Sequence, residues 1–334
     1  MRSKAVVTVL AGLIVAVAGS IAPAIPAAAV KSAKDVRIVN LNLLHGVFCP
    51  PETKFCDGAD RVKLLMQQLE TAKCPEVVGL QEINGNHAQL LNKAVPKICD
   101  GKYSILFGGK PKSLDTERVL TTLPVKSTKV EKLVGGFRTA SRAVLTSPLG
   151  PLVLVVTHQD GDPEGKPPGP PCKNCPPPCR AKQATIFACQ TVAAAALADD
   201  AGNDRAFRVL MGDFNFPSTN ARYQGLIADG WVDTYLLAEN PECDPATAVG
   251  CSSGRDDQSL PSLQDPTKRQ VERIDFIFAK APTNCAVQVD PKSDTHGDGV
   301  GTGLWNDEPT TNGLGGLAWT SDHTGVSADL SCGA

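Results

Sequence analysis

Six short stretches of this sequence put acidic, amide or imidazole side chains at the end of an apolar run. Asn42 closes Val36-Arg-Ile-Val-Asn-Leu, Gln81-Glu82 follows Val77-Val-Gly-Leu, and His158 follows Leu152-Val-Leu-Val-Val-Thr. Asp213 and Asn215 follow Val209-Leu-Met-Gly, Asp275 opens Phe276-Ile-Phe, and Asp322-His323 precedes the last apolar run. Singly, each has an ordinary explanation. Asn and Asp form turns by bonding nearby backbone, and Arg273 and Asp275, on one strand face, can be a structural ion pair. Together they supply the parts of one reaction, metal-assisted attack of water on a phosphate ester. A hard cation such as magnesium takes a few carboxylate or amide oxygens and keeps its other positions for water or substrate. A proton acceptor must polarise the attacking water, and donors must favour the transition state over the ground state. Histidine handles protons near neutral pH, and a paired carboxylate fixes its tautomer.

Strands must deliver these residues. Val36–Asn42 alternates apolar and polar residues, as a strand does, and further strands fit 77–80, 103–107, 117–123, 141–147, 151–157 and 206–211. The last strands fit 272–279, 285–290 and 324–330. Helical spacing marks 59–73, 87–98, the alanine-rich 181–199 and 219–229, the last with Ser218 or Thr219 as its cap. In 209–213 the apolar run ends at Gly212, and extended backbone would turn Asp213 and Asn215 the same way. Residues 160–179, dense in Pro, Gly and Cys, read as a disulfide-tied surface loop. Residues 239–270 and 291–320 are long, polar and turn-rich, as functional rims are.

Residues 1–29 read as a secretory signal peptide: Arg2 and Lys4, an apolar stretch, then Ala27-Ala28-Ala29. A membrane anchor is the alternative, since Ala5 to Ala29 carries no charge, but Pro23 and Pro26 favour cleavage, and no later stretch is apolar enough to span a bilayer. Cleavage removes two cations and no anion, so the net charge of -2 becomes -4. That argues against a protein that coats nucleic acid through a basic surface. Residues 30–334 are expected to form a single exported, monomeric catalytic domain. Twelve cysteines, all after the leader, point to disulfides. Short loops favour Cys49–Cys56 and Cys243–Cys251, and Cys285 with Cys332 could tie the last strands. Cys172, Cys175, Cys179 and Cys189 could pair among themselves or, less in keeping with an oxidising compartment, hold zinc.

The ordered set Asn42, Gln81-Glu82, Thr157-His158, Gly212-Asp213-Phe214-Asn215, Arg273-Ile274-Asp275 and Ser321-Asp322-His323 resembles the endonuclease/exonuclease/phosphatase superfamily. The likeness runs from about 36 to 330. It implies an α/β fold, a four-layered α/β sandwich of two packed mixed β-sheets flanked by helices. It also implies a Mg2+ enzyme, with Mn2+ or Ca2+ as alternatives. Glu82 would be the chief metal ligand, with Asn42 and Asp322 on the metal or its waters. Asp213 would orient or deprotonate the attacking water, and Asn215 would hold it or a phosphate oxygen. His158 and His323 would contact the phosphate, with Asp275 orienting His323; Asp213 and the Asp275–His323 pair both stand as candidate bases. In deoxyribonuclease-like members a further carboxylate orients the first histidine, and Asp115 and Glu117 are the candidates here. Arg273 could reach a phosphate or form a structural ion pair. His45 and Gln81, beside site residues, could have secondary roles or merely pack.

The resemblance points first to a secreted nuclease acting on DNA or RNA. The runner-up is a sphingomyelinase-type phospholipase C on phospholipid headgroups. Aromatics at 5%, few of them in the loops at 239–270 and 291–320, count against the exposed apolar surface such an enzyme presents to a bilayer, with Trp305 standing out there. Nothing around 268–275 resembles the inositol phosphatase motif. A non-catalytic binding module would be marked by the loss of a ligand or histidine, and none is missing.

Overall fold

A computed structural model describes residues 35–107, 115–161, 172, 175, 179, 185–200, 202, 204–255, 259–291, 301–311 and 313–333. The expected leader at 1–29 and most of the loop at 160–179 lie outside the described residues. Thirteen strands run in chain order as β1 (Val36–Asn42), β2 (Val77–Gln81), β3 (Ser104–Leu106), β4 (Arg118–Thr121), β5 (Val125–Lys132), β6 (Thr139–Ser147) and β7 (Gly150–His158). They continue as β8 (Phe207–Asp213), β9 (Val232–Asp233), β10 (Asp275–Lys280), β11 (Ala286–Val289), β12 (Gly303–Trp305) and β13 (Gly325–Gly333). One sheet has the order β11-β13-β1-β2-β4-β3, with β12 also on β13; the other is β5-β6-β7-β8-β10-β9. Each is mixed, because β1 runs parallel to β2 and β7 parallel to β8. Helix-bearing crossovers join these parallel pairs, as parallel neighbours require.

Two-residue periodicity sorts the side chains into layers. Val36 and Ile38 of β1, Leu152, Leu154 and Val156 of β7, and Val209 and Met211 of β8 form the core between the sheets. The opposite parity faces outward: Val39 and Leu41 pack with Leu65 and Leu69 of the Lys54–Thr71 helix. Val153, Val155 and Leu210 pack with Ala194 and Leu197 of the Ile186–Asp199 helix. Both faces of the central strands are therefore buried, which gives the four layers. Each buried Val, Leu, Ile or Met contributes about 1.5–3 kcal/mol.

The inter-sheet parity, carried one residue past the apolar core, places the polar groups. Asn42 continues 36-38-40, His158 continues 152-154-156, and Asp213 continues 207-209-211. Asp275 begins the face of Ile277 and Ala279 and lies opposite Asp213 in the ladder. The same alternation that builds the core thus brings four site residues to one edge of the sandwich. Gly212 is required beside them: with φ at 153°, a Cβ there would lie 1.9 Å from the Thr157 carbonyl oxygen.

Several boundaries differ from expectation. The helix expected at 59–73 begins at Lys54, with Phe55, Cys56 and Asp57 in left-handed conformation. The helix at 221–228 is capped not by Ser218 or Thr219 but by Asn220, whose side chain accepts from the Arg222 amide at 2.9 Å. The all-exposed edge strand β5 has no apolar face to announce it. The expected disulfides Cys49–Cys56, Cys243–Cys251 and Cys285–Cys332 are present, and the four Cys-loop cysteines, whose pairing the sequence left open, join as Cys172–Cys175 and Cys179–Cys189. Cys74–Cys99, whose partners the sequence left unassigned, completes them. The four Cys-loop cysteines are therefore disulfide partners, which leaves no thiolate for zinc. No helix among the described residues is long and apolar enough to cross a membrane.

Candidate active site

At the open edge of the sandwich lies a cleft of about 420 Å³, lined by Glu82, Arg138, His158, Asp213, Asn215, Arg255, Asp322 and His323 among others. Asn42 ties its floor together. Its amide nitrogen donates to Glu82 Oε1 at 3.1 Å and Asp213 Oδ2 at 3.0 Å, and lies 3.4 Å from His323 Nε2. Its carbonyl oxygen accepts from the Leu44 amide at 2.9 Å, so that oxygen is already committed to backbone. Glu82 leaves β2 with a left-handed φ of 60°. Its Oε2 accepts from the His45 amide at 2.7 Å, which gives His45 its role. Gln81 turns the other way, into the core, and donates to Asn40 Oδ1 at 2.8 Å.

Two imidazole–carboxylate pairs flank Asp213. In the first, His158 Nδ1 lies 3.0 Å from Asp115 Oδ2, while Nε2 is 3.0 Å from Asn215 Nδ2 and 3.5 Å from Asp213 Oδ2. Asp115, not Glu117, is the orienting carboxylate; Glu117 is buried and takes the Thr139 hydroxyl. Arg138 joins this pair. Its Nη1 donates to Asp115 and lies 2.8 Å from His158 Nδ1, and its Nε donates to Asp160 at 2.8 Å. In the second pair, His323 Nδ1 lies 2.9 Å from Asp275 Oδ2, an oxygen that also accepts from the Ser252 hydroxyl at 2.7 Å. His323 Nε2 faces Asp213 Oδ2 at 3.8 Å. Asn215 reaches the cleft from a left-handed residue, φ 53°, held by its amide on Asp213 Oδ1 at 2.9 Å.

These surroundings set the charges. Burial opposes charging His158, but Asp115 and Asp213 outweigh it and raise its pKa to about 9. Burial also opposes ionising Asp115, yet His158 and Arg138 hold it down at about 2. Burial pushes Asp275 up to about 6 even against the pull of His323. His323 is itself raised well above its ordinary value: burial works against its charge, and Asp275 and Asp213 overcome it. Both imidazoles are thus pushed toward the protonated form.

Glu82 and Asp322 form the opposite edge. Burial raises the Asp322 carboxyl, and the nearby Glu82 charge adds to the rise. For Glu82 burial is outweighed by His158 and His45, which pull it below its ordinary value. Burial and the Glu82 charge make Asp322 costly to ionise, a cost that a hard divalent cation beside the two carboxylates would remove. The buried Arg61 beneath them braces the loops: it donates to the carbonyls of Leu43, Leu44 at 3.0 Å and Cys56 at 2.8 Å. Asp213, Asp275 and His323 also gather within 4.8 Å. Of the three, His323 and Asp275 are hydrogen-bonded to each other, and Asp213 stands at ion-pair distance, 3.8 Å from His323 Nε2.

All eight expected site residues surround this one cleft or its floor. Arg273 does not: it is 1% exposed, bonded to Asp233 and Glu242 at 2.7 Å each, and pairs with neither Asp275 nor the cleft. Sequence reasoning missed Arg61, Arg138 and Arg255. They lie inside a helix, a turn and a loop, and many of their partners, such as Leu43 for Arg61, Asp115 for Arg138 and Ser321 for Arg255, are distant in the chain.

A sequence model of the Endonuclease/Exonuclease/phosphatase family matches residues 39–323. The chain belongs to this family. Members of the family are metal-dependent phosphoesterases. No curated protein matches the sequence. Among solved structures, the chain is similar to D. rerio TDP2 complexed with a single-strand DNA product, at 18% identity and TM-score 0.59, covering 89% of this chain and 99% of that one. It is also similar to a Bacteroides vulgatus endonuclease/exonuclease/phosphatase, at 16% identity and TM-score 0.59, covering 90% and 99%. A third is the Bacteroides thetaiotaomicron mannosyl-6-phosphatase, at 13% identity and TM-score 0.61, covering 89% and 99%. At these identities the likeness is one of fold.

Proposed function

We propose that this chain is an exported, divalent-metal-dependent phosphodiesterase that cleaves nucleic acid. The observation that carries the phosphoester chemistry is Asp213 set between two imidazoles, each backed by its own carboxylate, across a cleft from Glu82 and Asp322. Glu82 and Asp322 would hold the metal, expected to be Mg2+, while Asn42 orients Glu82 and Asp213. Bound there, the cation would neutralise charge developing on the phosphate oxygens. With both imidazoles pushed toward their protonated forms, Asp213 between them is the better placed of the two candidate bases to take the proton of the attacking water. His158, His323 and the Asn215 amide donate to phosphate oxygens as negative charge grows on them. Arg138 and Asp115 keep His158 in place, and Asp275 does the same for His323. Six disulfides and the expected leader support export.

One observation favours a second reading. Phe137 and Phe48, beside cleft residues Arg138 and His45, are 89% and 73% exposed. Such rings suit a lipid surface as well as an unstacked base. The disulfide-intact protein should nick supercoiled plasmid or degrade RNA with Mg2+ and be silent in EDTA. Phosphocholine release from sphingomyelin vesicles with intact DNA and RNA would replace nucleic acid by lipid as substrate.

A further inference from the structure

A second cavity, of about 680 Å³, opens beside the catalytic cleft. Among the described residues one side chain lines both, Arg255. It is only 4% exposed. Its Nη1 donates to the carbonyls of Ser321 at 3.1 Å and His323 at 3.3 Å, and Nη2 to the Thr324 hydroxyl at 3.0 Å. Its guanidinium lies 3.6 Å over the Trp319 ring. The buried Nε has no hydrogen-bond partner among the described residues. No carboxylate is hydrogen-bonded to Arg255 among the described residues, and burial lowers its pKa to about 9 although Asp322 and Asp307 act the other way from a distance. Set in the wall between two cavities, it is complementary to an anion that arrives from outside.

The cavity is already shaped. Cys243–Cys251 closes the loop on one side. Within that loop the Asp244 carboxylate accepts from the Ala246 amide at 3.0 Å and the Thr247 hydroxyl at 2.9 Å. Gly250 has φ +75°, and a Cβ there would lie 2.5 Å from the Pro241 carbonyl oxygen. On the other side the Trp319 indole donates to the Asp265 carbonyl at 2.8 Å. Little ordering cost is left for a ligand to meet.

The lining has two characters. Tyr235, Leu304 and Trp319 give flat and apolar surface, while Lys268, Arg269, Asp307 and Glu308 give charges of both signs. A hydrocarbon chain would desolvate those charges with nothing in return. A nucleoside presents a flat ring together with donors and acceptors, and the volume lies in the range of small-ligand sites.

We propose that this cavity is a nucleotide subsite, receiving the sugar and base that adjoin the scissile phosphodiester, with Arg255 as the phosphate contact in the shared wall. The inference rests on the nucleic-acid reading above and narrows it. A base can enter only after leaving its stack, so single strands are the preferred substrate.

The test uses Val249→Trp, which fills the cavity from a residue 53% exposed at its mouth, and Arg269→Glu as a second, surface change. With the full disulfide-bonded protein and Mg2+, kcat/KM is measured on a single-stranded oligonucleotide, its duplex, and bis(4-nitrophenyl) phosphate. The ratio of oligonucleotide to small diester should fall at least tenfold in Val249→Trp, through KM, and less in Arg269→Glu; the wild type should prefer single strand to duplex. In EDTA, calorimetry should detect a 5′-mononucleotide binding to wild type and at least tenfold more weakly to Val249→Trp. Unchanged ratios in both variants with active enzyme, or a mononucleotide bound equally by both proteins, would overturn the subsite. Loss of phosphocholine release from sphingomyelin vesicles in Val249→Trp would also overturn it, in favour of a lipid. If neither oligonucleotide nor diester is hydrolysed, the catalytic reading fails, and the calorimetry alone still decides whether the cavity takes a nucleotide.

Discussion

The two imidazole–carboxylate pairs are made of the same residue types and are set in opposite surroundings. Asp115 is shared between His158 and Arg138, with Asp160 holding the arginine from behind. Asp275 sits fully buried with only His323 and the Ser252 hydroxyl on its paired oxygen, and its other oxygen has no partner among the described residues. A surplus of cations pins Asp115 at about 2, whereas burial lifts Asp275 to about 6. The difference teaches that a neighbouring guanidinium decides how far a carboxylate and its imidazole depend on one another. Asp115 is held by Arg138 as well as by His158, whereas Asp275 relies on His323 and the Ser252 hydroxyl.

The sharpest way to break this comparison is to remove each ring. His323→Ala is expected to cut kcat about 10,000-fold and His158→Ala about 100- to 1,000-fold, with Tm near wild type for both. Equal losses on plasmid or oligonucleotide substrate would erase the asymmetry. Removing each carboxylate's charge should repeat the order at smaller size. Asp275→Asn is expected to cost about 1,000-fold in kcat and to make activity fall with rising pH as His323 loses its proton. Asp115→Asn should cost about 100-fold and lower the pH at which His158 loses its proton, because Asp115 supports that charge and Arg138 opposes it; a kcat–pH series on both variants checks this. Arg138→Met should raise KM about tenfold, the equivalent of 1.4 kcal/mol, with a smaller change in kcat.

The last effect is on stability rather than activity and concerns Glu117, the carboxylate that the sequence offered as an alternative to Asp115. Burial raises it from 4.5 to about 7, chiefly because the charged form loses its water. A raised folded-state value means that its stabilising contribution is whole below 4.5 and is lost as the pH climbs through about 7. Glu117→Gln should remove a decline on the order of 3 kcal/mol across that window, read from urea midpoints at a series of pH values. A variant that parallels wild type at every pH would place the buried charge elsewhere.

Much of the site was legible because it extends the core's own rhythm. Apolar alternation in Val36–Asn42, Leu152–His158 and Phe207–Asp213 fixes which face each terminal residue takes, so the motif and the layer can be read together. Where a side chain stands off that rhythm, sequence falls short. Asp115 and Glu117 were indistinguishable because Asp115 lies before β4 begins at Arg118, where strand parity no longer applies. Arg138 sits at the foot of a turn and meets partners 20 to 23 residues away. Arg273 was ambiguous for a related reason: its strand begins at Asp275, so the arginine turns away to Asp233 and Glu242. Arg255 lies in a polar loop with no periodic pattern at all, and only the fold sets it between two cavities.

The pairing of β13 with β1, Val36 against Leu330, has a consequence for how the molecule comes into being. The first strand made waits for almost the last before its sheet can close, and Asp322 and His323 stand just ahead of that late strand. Such distant pairing makes for slow folding, and it means that a nascent chain stopped short of residue 330 has neither a finished sheet nor a seated His323. The candidate cleft is therefore complete only once the far end of the described chain has paired back onto β1.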